Sequence, residues 1–186
     1  ISRELYMSSQ LPQFSPCLYS WDLSIWRFLH QVSGQSPEQA SSVFDIPLHI
    51  IIAISELSPR EIEQLASGVL CSFIPLFSHS ELEEIVFHSR GELLIGGDSS
   101  VNLLERIYWE LVARSSMVDL SAASVRFGLA KETIELFSTA SPILIHEICS
   151  TLETDFRLRF NPEIILEMQY ASPVTALMKR AAAAFG

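Results

Sequence analysis

At 186 residues, with 48% hydrophobic and 18% charged side chains, the chain has material for one compact unit or two small ones and is too apolar to stay unfolded. Its 22 acidic residues against 12 basic ones leave a net charge of −10, which excludes a protein that grips nucleic-acid phosphates unaided. No apolar run reaches the roughly 18–20 residues of a membrane helix, and no basic stretch leads into an apolar segment at the start; a cytoplasmic protein without a membrane partner is expected.

In chain order, residues 1–20 read as an extension. The first helical stretch carries Trp21 and Trp26 at helical spacing, placing both in a core or at an interface between halves. Ser58, Pro59 and Glu61 open a helix, with Pro at its first position where its missing N–H costs nothing. Phe73 to Phe77 reads as an extended link or edge strand, and residues 79–87 as a helix. Gly96-Gly97-Asp98-Ser99-Ser100 marks a linker over residues 91–100.

Beyond it, Leu103, Leu104, Ile107, Tyr108, Leu111 and Val112 form one apolar helical stripe, with Glu105, Arg106, Glu110 and Arg114 on other faces. Asp119 or Ser121 caps a short helix that Gly128 ends. A helix follows over 130–137, and Ser141 with Pro142 opens the next. Phe156-Arg157-Leu158-Arg159-Phe160 alternates as an extended segment, and Pro162 and Pro173 each start a final helix.

Laid on itself, the chain repeats. Trp26 falls on Trp109, Ser33 on Ser116, Ser58-Pro59 on Ser141-Pro142, Phe73 on Phe156 and Phe77 on Phe160, all with residue i matching residue i+83; Ser42-Val43 matches Ser124-Val125 after a one-residue change in loop length. The expected architecture is all-α, with a first repeat over 21–90, a second over 101–170 and a C-terminal helix over 171–186. The halves would pack as an intramolecular pseudo-dimer.

No enzyme is expected. Gly96-Gly97 lacks the surroundings of a nucleotide loop, Ser67-Gly68 is no nucleophile elbow, and the five histidines do not converge on a metal. Cys17, Cys71 and Cys149 lie far apart without metal-ligand spacing and read as buried thiols.

The second half resembles the FlhD family of flagellar transcriptional activators. The resemblance rests on Leu103 to Tyr108, on the Arg126-Phe127-Gly128-Leu129 box, on Ser141-Pro142 and on Phe156 to Asn161, in that order and at that spacing. It implies an all-α, intertwined homodimer acting with a FlhC-like subunit. That partner would carry the zinc and the basic surface, bind flagellar or conjugative-transfer promoters and recruit RNA polymerase. No cofactor is implied in this chain. The first half departs from the boxes, with Phe44-Asp45-Ile46-Pro47 and Ile74-Pro75-Leu76 in their places. Arg157, Arg159, Lys179 and Arg180 are the candidate DNA-proximal cations, against a plainer reading as solvated or helix-end charges. Arg126, Phe127, Trp26 and Trp109 are the candidate partner contacts. A second functional reading is an acidic helical chaperone or adaptor of a secretion or conjugation system.

Overall fold

The computed structural model describes residues 12–89, 102–152 and 154–185. In chain order it contains α1 (Pro16–Gln35), α2 (Pro37–Phe44), α3 (Leu48–Ser55), α4 (Pro59–Leu65), β1 (Phe73–Leu76) and α5 (His79–Ser89). There follow α6 (Leu103–Val118), α7 (Leu120–Phe127), α8 (Lys131–Phe137), α9 (Pro142–Thr151), β2 (Asp155–Leu158), a 3-10 turn (Pro162–Ile164), α10 (Ile165–Met168) and α11 (Pro173–Phe185). The protein is mostly helical, with one small antiparallel sheet in which β1 pairs with β2. That ribbon corrects the all-α expectation: the two alternating segments satisfy each other's backbone groups instead of serving as loose links. The linker expected over 91–100 lies outside the described residues.

Local chemistry explains most helix starts. Ser15, Ser58, Asp119 and Ser141 each cap a helix through the side-chain oxygen, and Pro follows at the first helical position in three of the four. At Ser58 the capping box is complete: Glu61 reaches back to the Ser58 N–H at 2.7 Å, and these bonds hold its carboxyl below the usual carboxylate range.

The described residues form two compact units, one of residues 12–74 with 157–185 and one of residues 75–89, 102–152 and 154–156. In the first, α1 packs against α2, α3 and α4, and α10 lies against α3 and α4. Trp26, Phe44 and Phe73 make its aromatic centre, with Phe73 5.0 Å from Trp26 and 6.1 Å from Phe44, centroid to centroid. In the second, α6 packs on α7, α8 and α9, and α5 covers α9. Trp109 stacks flat on Phe137 at 4.6 Å and meets Phe77 edge-on, while Tyr108 meets Phe127 and Phe156 edge-on.

Element boundaries recur with residue i matching residue i+83. The α1–α2 junction at Ser36 corresponds to Asp119 between α6 and α7, and each of these N–H groups bonds the carbonyl four residues back. Asp45 and Gly128 end α2 and α7 in the left-handed conformation, at φ 54° and 68°. Ser41 donates to the Ile46 carbonyl and Ser124 to that of Leu129, both at 2.7 Å. The expected offset at Ser42-Val43 is therefore absent: Ser41, not Ser42, occupies the place of Ser124. The matching departs later, because α9 continues to Thr151 while α4 stops at Leu65.

At Gly128 a side chain would meet the left-handed penalty. Gly128→Ala is expected to cost about 1–2 kcal/mol, read as a lower midpoint of urea unfolding.

Candidate functional site

The most ordered polar chemistry surrounds Asp22, wholly buried on α1. The chain between α4 and β1 folds over it. Its carboxylate accepts the Ser67 N–H at 2.9 Å, the Ser72 N–H at 2.8 Å and the Ser72 hydroxyl at 2.6 Å. The Trp26 indole, one helical turn along, donates to the same hydroxyl at 3.2 Å. Ser67 in turn accepts from the Val69 and Leu70 N–H groups. Burial pushes the Asp22 carboxyl up, opposed by the positive charge of Arg180 and by the bonds from Ser72 and Ser67.

The second unit holds an acid and an indole at the matched places, Glu105 one turn before Trp109 on α6; its hydroxyl, Thr154, comes one residue before the position that matches Ser72. Glu105 is buried rather than on an outer helix face, which corrects its expected position. Burial raises its carboxyl, and Thr154 and the Trp109 indole ease that shift. The trio is looser than its counterpart, since Glu105 Oε1, Thr154 Oγ1 and Trp109 Nε1 all stop short of hydrogen-bond geometry.

A raised carboxyl means that the native state holds its proton more tightly than the unfolded chain does. That contribution is fully present below the unfolded pKa and is lost as pH rises through the folded one. Glu105→Gln cannot ionise, so its stability relative to the parent is expected to improve from about pH 4 to about pH 7. Urea unfolding at both pH values checks this; an unchanged difference would contradict it.

These networks are suited to holding the fold. The Ser72 hydroxyl donates to Asp22 without an imidazole between them; Cys17 is exposed rather than buried as expected, while burial pushes the Cys71 thiol up and, with Glu105, pushes Cys149 up to about 12. Among the described residues no group of three or more His, Cys, Asp or Glu is placed to hold a metal ion. No helix there is long and apolar enough to cross a membrane.

The candidate contacts divide by exposure. Arg157 is exposed and pairs with Asp45 at 3.2 Å; Lys179 is half-buried in contact with Glu167. Arg159 is half-buried and ties its N–H to the Ser72 carbonyl at 2.8 Å. Arg180 is only 3% exposed and donates to the Leu65 carbonyl, so its expected place at a DNA edge is corrected to a place inside the first unit. Trp26, Trp109 and Phe127 are fully buried in their own units, where the aromatic packing occupies them; they are core and not outer contacts. Arg126 is half-buried, with its guanidinium 3.4 Å from the Ser115 hydroxyl.

One surface contrast escaped the sequence reading. Val43, Leu48 and Ile52 on α2 and α3 are apolar and exposed, while their counterparts Arg126, Lys131 and Glu135 are charged. Lys131 and Glu135 form an exposed pair at 3.7 Å, and Leu48 and Ile52 place two apolar side chains at the same i, i+4 spacing. The signal lay in the repeat alignment, at positions where the matched residues differ.

One hydrogen-bonded buried network at Asp22, a buried acid at the matched Glu105 and one unmatched apolar face thus characterise a mostly helical, two-unit protein. No protein-family model, curated protein or solved structure matches the chain.

Proposed function

We propose that this chain is a regulatory subunit built as a tandem FlhD-like pair, which works with a FlhC-like, zinc-containing, basic partner at flagellar or conjugative-transfer promoters. The observation that supports it best is the exchange of segments between the halves. The first unit is completed by residues 157–185, which begin within the second half's strand, and the second by residues 75–89, which begin within the first half's strand. Two intertwined protomers joined end to end would divide their chain in this way. Joining them replaces a concentration-dependent association with an intramolecular one.

The charge fits the same role. A chain of net charge −10 assists DNA binding by holding a cationic subunit in place, with the exposed Arg157 and the half-buried Lys179 already balanced by acids. The exposed apolar residues of α2 and α3 give that subunit a docking face in the first half, where the second half is charged. The acidic adaptor of a secretion or conjugation machine is the second reading, favoured by the same apolar face.

Light scattering during size exclusion at micromolar concentration tests the fused pair. The expected mass is that of one chain, 20.9 kDa. A concentration-dependent dimer would contradict the pseudo-dimer.

A further inference from the structure

Arg180 is a buried cation without a counter-ion at contact distance. It donates one bond to the Leu65 carbonyl and lies over the Phe160 ring at 5.6 Å, while its Nε has no hydrogen-bond partner. No carboxylate is in ion-pair contact with it among the described residues; Asp22 compensates it only through space. Burial pulls the guanidinium below its usual pKa, the direction expected where a charge is poorly compensated. Buried charges are ordinarily paired, because desolvation is otherwise uncompensated.

This cation lines a cavity of about 500 Å³ that lies wholly within the first unit. The volume falls in the range of small-molecule sites, roughly 300–1,000 Å³. Its apolar wall includes Phe14, Tyr19, Val69, Val174 and Leu177, contributed by the start of α1, the chain after α4 and the first turns of α11. Gly68 allows the wall to close: its carbonyl accepts the Ser15 N–H at 2.7 Å, and a Cβ there would run into the Phe14 ring and lie 2.8 Å from the Ser15 carbonyl. The other charged residues in the lining are Arg60 and Glu63, and Glu63 is engaged by Arg27 at 3.0 Å. The site therefore leans cationic within a strongly acidic chain.

We propose that this cavity binds a small organic carboxylate with an apolar tail, its carboxylate paired with Arg180 and its tail laid along the wall from Phe14 to Leu177. Inorganic phosphate would leave that wall bare, and a neutral lipid would leave the cation unpaired. The inference stands apart from the regulator reading, since it concerns the interior of one unit.

Titration calorimetry of the full chain with decanoate, below its micelle concentration, tests it against 1-decanol and inorganic phosphate. Saturable binding of one decanoate per chain is expected, with decanol and phosphate at least about tenfold weaker. Val174→Trp, at an exposed wall position, should weaken decanoate at least about tenfold by filling the cavity. Arg60→Gln should keep the preference for decanoate over decanol. Absence of saturable binding, equal binding of decanol, undiminished binding to Val174→Trp, or loss of the preference in Arg60→Gln would each overturn the proposal.

Discussion

Alanine in place of Asp22 is expected to destabilise the protein by about 3–5 kcal/mol, the range for breaking a buried charge network from one side. The substitution strands three donors at once: the N–H groups of Ser67 and Ser72 and the Ser72 hydroxyl, all of which end on this carboxylate. Each buried donor left without a partner costs about 1–3 kcal/mol. It also removes the compensating charge from Arg180, which has no ion-pair contact to fall back on. Against these losses stands only the release of the desolvated carboxylate itself. Urea unfolding followed by circular dichroism measures the difference, and a cost under about 1 kcal/mol would show that the chain between α4 and β1 does not depend on Asp22.

Trp26→Ala and Trp109→Ala are expected to cost about 3–5 kcal/mol each, as truncations of fully buried large aromatics do. Both indoles are inaccessible to solvent, one packed against Phe73 and the other stacked on Phe137. Phenylalanine separates the two sites. Trp26→Phe loses the bond to Ser72, whereas the Trp109 Nε1 has no bond in hydrogen-bonding geometry to lose. Trp26→Phe should therefore be the costlier of the pair by about 1 kcal/mol. Equal costs in parallel unfolding experiments would mean that the tight and loose polar trios stabilise their units alike.

Much of the helical framework was legible because its signals are local. Ser58-Pro59 and Ser141-Pro142 announce helix starts through one side-chain oxygen and one missing N–H, and Gly128 announces an end through its access to positive φ. Register was less secure: the identity of Ser42-Val43 with Ser124-Val125 drew the alignment off by one, while the matched hydrogen bonds of Ser41 and Ser124 restore it. Asp22 and Glu105 each precede a Trp by one helical turn, yet Glu105 reads as an outer-face charge, because an acid beside an apolar stripe is ordinarily solvated. What would satisfy it was not, because Ser67, Ser72 and Thr154 arrive from distant chain. That residues 157–185 belong to one unit with residues 12–74 leaves no local mark, since a helix's apolar stripe specifies burial without naming the partner. The burial of Arg180 was hidden for a related reason: its place near the end of an amphipathic helix fits a solvated cation equally well until the cavity and the Leu65 carbonyl are in view.

Affinity capture of the tagged chain from its native cells, run beside a Leu48→Lys/Ile52→Glu variant, tests the regulator reading most directly. Both substitutions fall on exposed positions that carry Lys131 and Glu135 in the matched half, so the fold should tolerate them. The expected result is a basic, cysteine-rich, zinc-containing subunit recovered with the parent chain and lost with the variant, in a complex that retains promoter DNA. Recovery of secretion substrates without such a subunit, or of no partner that distinguishes parent from variant, would contradict it.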